Sequence, residues 1–464
     1  MKRFLSSLLL TAACACFAVG GFWVSTLRAE SEAADAAALA ASGGRPPSLL
    51  GGTGGLLPGD DRYRLSALSV FSNVALHVKD HYVDPSRIHP QEMLLAALEE
   101  VERRVAEVLV EEAEDGRIVV AVMGERKVIR NDVESLWEIN LKLRNVFRFL
   151  EKHLPPQDDI RQIEYAAVNG ALSTLDPHSI LLKPEAFAEM KTSTKGEFGG
   201  LGIVISVREG KLTVISPIDD TPAARAGLEA GDVIRRIGDV STVSMPVDEA
   251  VRMLRGPKGS KAVIWVERKG WAEARRYEII RERIKLESVE SRLLSDGVGY
   301  IKIKNFQQST GRDLDSHLER LRKEKGGKLS GLVLDLRNNP GGLLEQATRV
   351  SDRFLSSGDI VTTVGYGNKL REPKRARWSG TESDLPLAVL VNRGSASASE
   401  IVAGALKNLD RATIIGETTF GKGSVQVLYD FADSSALKLT IAQYLTPGDV
   451  SIQNERVTPD IALD

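Results

Sequence analysis

Two short segments hold the residues whose types and spacing could do chemistry. The run Leu387-Ala388-Val389-Leu390-Val391 has the length and apolar continuity of a buried strand. It is followed by Asn392-Arg393-Gly394-Ser395-Ala396 and then by an apolar-periodic helix that begins at Ser397. A hydroxyl carried on such a strand-to-helix turn is exposed, and the free amides of the helix's first turn can stabilise an oxyanion when it attacks a carbonyl. The plainer account of the same residues is that Ser395, Ser397 and Ser399 cap the helix. The second segment, Gly416 to Gln426, follows another buried strand and sets Lys422 between Gly421 and Gly423. A lysine is a poor base in water because it stays protonated near neutral pH, but burial in an apolar setting lowers its pKa. The plainer account here is an exposed loop lysine.

Other chemistries fit the residues less well. Gly416 to Ser424 nearly spells a phosphate-binding loop, yet Gly423 stands where the magnesium-binding Ser or Thr belongs, and Val425 to Phe431 has the pattern of a strand where that loop needs a helix. Ser435 and Lys438 have a Ser-x-x-Lys spacing, but in an alternating strand residues three apart face opposite sides. His317 and His178 are the histidines available to a serine triad, and neither has a motif around it. His77 and His81 are four apart on an expected helix, with nothing nearby to complete a metal site. Cys14 and Cys16 are the only 2 cysteines, and both lie in the N-terminal apolar run. The rest of the chain therefore has no disulfide, thiol nucleophile or thiolate metal site. No cofactor or metal is expected.

The elements that must position these residues can be laid out along the chain. At 464 residues, two or three folded units are expected. With 61 basic against 63 acidic residues the net charge of -2 offers no field to recruit nucleic acid. Lys2 and Arg3 precede an uncharged run over residues 4–27, long enough to span a bilayer core with its positive end cytoplasmic. Residues 1–29 are thus expected to be a membrane anchor or, if cleaved after Ala29, an export signal. Residues 30–60, rich in Ala, Gly, Ser and Pro, have the composition of a flexible linker. Residues 61–195 carry helical periodicity, interrupted by a hairpin near Arg117 to Val122 and Lys127 to Ile129. Over residues 196–283 the pattern turns to short alternating strands with two short helices. From 284 to 464 strands and helices alternate as in an α/β core on a largely parallel sheet, where ligands gather at the strands' C-terminal ends. The expected fold class is multidomain, α/β and α+β: a helical N-terminal region, an inserted β-rich domain and an α/β core.

The inserted region resembles a PDZ domain through Gly200-Leu201-Gly202-Ile203, Pro222 to Leu228 and Gly231-Asp232-Val233-Ile234. At Gly200, Leu201, Gly202 and Ile203 a turn without bulky side chains lets backbone N–H groups converge on a chain-terminal carboxylate, while the adjacent strand edge accepts the peptide. From Tyr63 to Asp460 the chain resembles the C-terminal processing peptidases, or tail-specific proteases. The resemblance rests on Gly394-Ser395-Ala396-Ser397-Ala398-Ser399-Glu400-Ile401, Thr419 to Gln426 and Asp335 to Gly342. It is supported by Asp176-Pro177-His178-Ser179, Leu254 to Gly259 and Thr458-Pro459-Asp460.

The resemblance implies an α/β serine-protease core in which Ser397 is the nucleophile, Lys422 its base, and Gln426 hydrogen-bonds and orients the lysine. It also implies an oxyanion hole from the N–H of Ala398 and of a glycine, Gly341 or Gly342. The function so implied is a serine endopeptidase that recognises free C-termini of protein or peptide substrates through its PDZ domain. It would cleave envelope proteins near their C-termini on the periplasmic side of the inner membrane, held to the lipid by residues 4–27. The competing class is a non-catalytic PDZ scaffold, which has no physical need for Ser397, Lys422 and Gln426 together. The stretch between Val101 and Leu154 is longer than the family's pattern and bears on oligomer geometry; a homo-oligomer and an adaptor protein both stay open as partners.

Overall fold

The structure, a computed structural model, describes residues 63–463 other than 158, 366–370 and 378. The expected membrane run and linker lie outside the described residues. Among the described residues no helix is long and apolar enough to cross a membrane.

Apolar residues three and four apart make the first helices amphipathic. Helix α1 (Ser69–His81) buries Val70, Phe71, Val74, Ala75 and Val78. Helix α2 (Pro90–Arg104) opens on Pro90, tolerated where first-turn amides lack helical partners, and ends with Arg103 and Arg104 beside the exposed carbonyls. The expected hairpin is a three-stranded antiparallel meander, β1 (Val108–Glu112), β2 (Arg117–Val122) and β3 (Glu125–Arg130). The additional strand, Val-Leu-Val-Glu-Glu, contains good helix formers and reads as a continuation of α2 until pairing with β2 decides otherwise. Ser135 then caps α3 (Leu136–His153) by accepting the N–H of Glu138 at 3.3 Å. Helix α4 (Arg161–Ser173) packs on α2 at Gly170, where a Cβ would come within 2.2 Å of the Ala96 carbonyl oxygen. After β4 (Ile180–Leu182), helix α5 (Pro184–Lys195) stops at Gly196, whose φ of +72° suits glycine.

Strand β5 (Glu197–Gly200) opens the β-rich insert, which continues with β6 (Ile203–Arg208), β7 (Lys211–Pro217), the one-turn α6 (Pro222–Arg225), β8 (Val233–Ile237) and β9 (Val240–Ser241). Helix α7 (Val247–Leu254), β10 (Lys261–Glu267) and β11 (Arg275–Ile280) complete it. The sheet order is β11-β10-β8-β7-β6, so β6 is an edge strand. Its own core includes Leu212, Val214, Ile234, Ile264 and Val266. The insert's two ends meet in a ribbon, because β12 (Glu282–Lys285) pairs with β5 and sets Glu282 opposite Gly200.

The remaining chain builds two sheets rather than one. Strands β13 (Val289–Leu293) and β14 (Val298–Ile303) form an antiparallel pair, followed by helix α8 (Thr310–Lys325), β15 (Gly331–Asp335) and helix α9 (Leu344–Asp352). Next come β16 (Asp359–Gly365), β17 (Arg371–Arg375), β18 (Leu387–Val391), helix α10 (Ala398–Asn408), β19 (Thr413–Gly416), β20 (Ser424–Asp430) and β21 (Ala436–Thr446). The short β22 (Val450–Ser451), α11 (Ile452–Glu455) and β23 (Ile461–Ala462) end the described chain. The first sheet runs β13-β14-β15-β18-β19-β23, parallel from β14 onward. Strand β16 was expected to join it; instead β17-β16-β21-β20 form a separate antiparallel sheet, since β16 pairs with β21 from near the C-terminus. Such a long-range pairing leaves no mark in local periodicity.

The helical N-terminal region does not pack alone. Strand β4 pairs with β21, and Leu437 and Leu439 of β21 are buried in the same core as α1 to α4. Packing in that region is fixed by the α2–α4 contact. Gly170→Ala should destabilise the protein by about 2 kcal/mol, because a methyl group would meet backbone rather than a movable side chain; denaturant titration of the substituted chain against the parent measures this.

Candidate active site

Three neighbouring parallel strands, β15, β18 and β19, deliver the loops 336–343, 392–397 and 417–423 to one edge of the first sheet, at the strands' C-terminal ends. Asn339, fully buried, binds the first loop to its surroundings: Nδ2 donates to the Ile303 carbonyl at 2.9 Å and Oδ1 accepts the Gly341 N–H at 2.9 Å. Its own carbonyl accepts the N–H of Ala396 at 3.0 Å and the hydroxyl of Ser399 at 2.9 Å.

The three serines separate by geometry. Ser395 is buried and donates its hydroxyl to the Leu336 carbonyl at 2.8 Å; Ser399 is buried on Asn339. Both fasten the second loop to the first. Ser397, between them, lines an open cleft of about 1280 Å³, and its hydroxyl, which faces the Glu400 N–H in a capping box, donates to no group among the described residues. Its backbone sits at φ +56°, ψ -113°, a conformation that costs a non-glycine residue on the order of 1–3 kcal/mol and persists only when its surroundings over-determine it. The neighbouring Gly341 makes room for that turn: a Cβ there would lie 2.8 Å from the Ser397 Cβ and 2.9 Å from the Ala398 nitrogen.

The over-determination comes chiefly from Glu400, a fully buried carboxylate. It accepts the N–H of Ser397 at 2.8 Å, the N–H of Lys422 at 2.9 Å, the N–H of Gly421 at 2.6 Å and the hydroxyl of Thr419 at 2.6 Å. One side chain thus holds the serine turn and the lysine loop at a fixed spacing. Glu400 was not among the expected site residues. Its signal was available, since a serine followed three residues later by glutamate at a helix start is a capping-box pattern.

Lys422 lines the same cleft as Ser397, along with Gly342, Leu343, Gln426 and Tyr444. No hydrogen bond joins its amine to the Ser397 hydroxyl here, and it has no ion-pair partner among the described residues. Burial pushes its pKa down from the ordinary lysine value, reinforced by the like charge of Lys438; the opposing pull of Asp176 and Glu400 is weaker. Gln426 does not hydrogen-bond Lys422 as expected. Its amide donates to the Ser424 hydroxyl at 2.8 Å and reaches Thr440 Oγ1 at 3.5 Å, beside a bulge that shifts the β20–β21 register between Val425 and Gln426. The Ala398 and Gly342 amides have no partner among the described residues, whereas the Gly341 amide is committed to Asn339.

Of the remaining candidates, Lys438 lines the same cleft, whereas Ser435 is buried and donates its hydroxyl to Asp433, and His178 lies within electrostatic reach of Lys422. Lys422 is followed by strand β20, not by the helix a phosphate-binding loop requires. His317 faces the Ser291 hydroxyl on β13, and His77 stacks on Tyr429. Among the described residues no group of three or more His, Cys, Asp or Glu side chains is placed to hold a metal. On the β-rich insert, Gly202 has φ +79°, Leu201 is buried, and the N–H groups of both lack partners among the described residues. They stand at the entrance to the open edge of β6, against which α7 packs.

Comparison with known proteins bears on this arrangement. The model for peptidase family S41 matches residues 297–463 and that for the PDZ domain matches residues 190–265. The chain is 41% identical over 343 residues to a carboxy-terminal-processing protease of Bartonella bacilliformis, covering 73% of this chain and 78% of that protein. The chain belongs to the carboxy-terminal-processing serine proteases of family S41. A carboxyl-terminal-processing protease of Synechocystis is 35% identical over 325 residues, covering 68% of this chain and 75% of that one. Among solved structures, a photosystem II D1 C-terminal processing protease aligns with a TM-score of 0.46 at 27% identity, covering 87% of this chain and 94% of that chain.

For this protease the Glu400 carboxylate should matter through geometry rather than bulk. Glu400→Gln keeps the shape but turns one acceptor into a donor facing two N–H groups. The substitution should lower kcat on a tailed substrate by about a hundredfold, the scale of a small misplacement of reacting groups, with little change in KM; steady-state kinetics beside a circular dichroism spectrum of the folded variant checks both halves.

Proposed function

We propose that this protease cleaves protein substrates near their C-termini by a Ser397–Lys422 dyad, with the substrate's terminal carboxylate held by the PDZ domain. One observation carries the reading: a single cleft is lined by Ser397 on a strained turn, by a Lys422 amine without a partner among the described residues and by Gly342, and the amides of Gly342 and of Ala398, next to the serine, are uncommitted among those residues. Lys422 takes the Ser397 proton as the serine oxygen attacks the scissile carbonyl. The oxyanion then forms against the amides of Ala398 and Gly342; Gly342 is preferred to Gly341 because the latter's N–H is already spent on Asn339. Collapse expels the amine of the C-terminal fragment, which receives its proton from Lys422, and water repeats the sequence on the acyl-serine. The absence of a Ser397–Lys422 hydrogen bond agrees with a resting geometry that tightens on substrate binding. In that step Gln426 releases Ser424 and steadies the amine.

The tail docks at Gly200, Leu201, Gly202 and Ile203 and adds as a strand to the edge of β6. Helix α5 contributes Met190 and Thr194 to the cleft and runs through Gly196 into the PDZ domain, so the docking unit and the cutting cleft share a wall. The uncharged run over residues 4–27 supports action at the outer face of a bacterial inner membrane.

Incubating residues 61–464 with an unstructured protein bearing an apolar C-terminus tests the chemistry. The parent chain should yield defined products by mass, and Ser397→Ala or Lys422→Ala should reduce their rate at least a thousandfold; undiminished cleavage by either variant would reject the dyad. Because the base must be neutral, the rate should rise with pH through the lowered pKa of Lys422. Lys438→Met removes a like charge, while Asp176, His178 and Glu400 remain. The rising limb of the pH–rate profile should therefore move to higher pH.

Since Gly200 and Glu282 are paired across the ribbon, residues 201–281 can be replaced by a short glycine turn without separating β5 from β12. That chain should still hydrolyse short peptides but lose about tenfold or more in kcat/KM on long tailed substrates. Equal loss on both substrates would argue against tail capture by the PDZ domain.

A further inference from the structure

The cleft contains a second lysine that the dyad does not use. Lys438 lies on β21 opposite Leu428 of β20 and lines the cleft with Ser397, Lys422, Gln426 and Leu428. It is half-buried, and its amine makes no hydrogen bond or ion pair among the described residues. The carboxylate that acts on it, Asp176, is already engaged by the N–H groups of His178 and Ser179 and by the hydroxyls of Ser179 and Thr440. Most other cations around the cleft are spent: Arg349 and Arg353 on Asp315, Arg375 on Asp359, and Arg377 on Asp352. A partly desolvated ammonium without a counter-charge is costly unless a ligand supplies one. Lys422 cannot be the group that takes it, because a base has to be neutral.

We propose that Lys438 is a specificity-determining residue of the cleft, taking the side-chain carboxylate of an aspartate or glutamate that lies within a few residues of the substrate's scissile bond. The inference rests on the peptidase reading above, in which the terminal carboxylate of the substrate is held by the PDZ domain, leaving a side-chain carboxylate as the anion that reaches the cleft. A charge-assisted contact at one fixed place along an extended chain would set the frame in which the chain is cut. The bond chosen would then depend on where an acidic residue falls, as well as on the distance from the tail.

The experiment uses tailed peptides that share one C-terminal sequence and place Glu, Gln or Lys in turn at each position around the observed cut. The common tail cancels the PDZ contribution, and comparing two peptides on the same variant cancels any general loss from disturbing Lys422. At one position the parent should prefer Glu to Lys by about tenfold in kcat/KM, the scale of one hydrogen bond to a charged group. Lys438→Gln should flatten the ratio, Lys438→Glu should reverse it, and Lys438→Arg should retain it. A Glu-to-Lys ratio that differs less than twofold between the parent and Lys438→Glu at every position would overturn the proposal. So would loss of the preference in a folded Lys438→Arg chain. Hydrolysis of the Gln peptides by the parent reports the peptidase reading separately. If no peptide were cut that reading would fail, and the same ratio of affinities, measured by fluorescence anisotropy on Ser397→Ala and Ser397→Ala/Lys438→Glu, would still decide the role of Lys438.

Discussion

The buried carboxylate of Glu400 accepts hydrogen bonds from the turn that carries Ser397 and from the loop that carries Lys422, and the geometry of the site depends on this double attachment. Neither loop is secured by packing alone. The serine turn is strained, and the lysine loop ends in glycines that resist no displacement by themselves. A hydrogen bond to an ionised group contributes roughly 1.5–3 kcal/mol, so the bond to the Ser397 N–H alone is of the size of the roughly 1–3 kcal/mol of strain at that residue. Because two of the four donors are the backbone amides of Ser397 and Lys422 themselves, the hydroxyl and the amine are positioned from the main chain outward. Their side chains remain free to move protons.

Around that attachment the fold acts as a set of nested supports. Parallel strands β15, β18 and β19 bring three loops to one edge, and Asn339, Ser395 and Ser399 bind two of them together beneath the reacting face. The antiparallel sheet supplies the opposite wall through β20 and β21. Strand β21 in turn is buried against the N-terminal helices, where Leu437 and Leu439 complete a core that α1 to α4 cannot close alone. The N-terminal region is therefore structural to the cleft, although none of its helices before α5 lines it. The PDZ domain, by contrast, has its own core and is joined through the β5–β12 ribbon and the end of α5.

Much of this was legible in the residues. The strand run 387–391, the helix after Ser397 and the order of short strands over 203–280 each follow from local periodicity, because one face or both faces of each element are buried by neighbours that demand apolar residues. Ser397 and Lys422 could be singled out because the segments that carry them, Gly394 to Ile401 and Thr419 to Gln426, resemble those of a known family; local pattern alone favoured a helix cap and an exposed loop lysine. What escaped was determined by distant partners. Strand β1 resembles helix until β2 pairs with it, and β16 leaves the parallel sheet because β21, from near the C-terminus, claims its edge. Glu400 looked like an ordinary capping residue, and nothing local signals that its second oxygen reaches 21 residues forward to Gly421. The hydrogen bond of Gln426 to Ser424 was hidden for a similar reason: its reach depends on a register shift at Val425 that only the paired strand reveals.

The same carboxylate poses an electrostatic problem, since a negative charge near Lys422 favours the protonated amine and would disarm a base. The arrangement resolves it by saturating Glu400 with neutral donors, while the surroundings of Lys422 penalise its charge. Burial contributes most to that penalty and the like charge of Lys438 adds to it. Lys438 itself lines the cleft without a partner among the described residues, so the cleft presents an excess of positive potential whenever no substrate is bound. A carboxylate that settles on Lys438 would cancel part of the repulsion on Lys422 and restore some of the amine's affinity for a proton. On the proposed mechanism such a contact would cut both ways: a higher proton affinity would leave less of the amine neutral at a given pH and make the ammonium a poorer donor to the leaving amine, while the neutral amine, once formed, would be the stronger base. For a mechanism in which one lysine must accept a proton and then return it, a base poised between those limits serves both steps better than one driven to either.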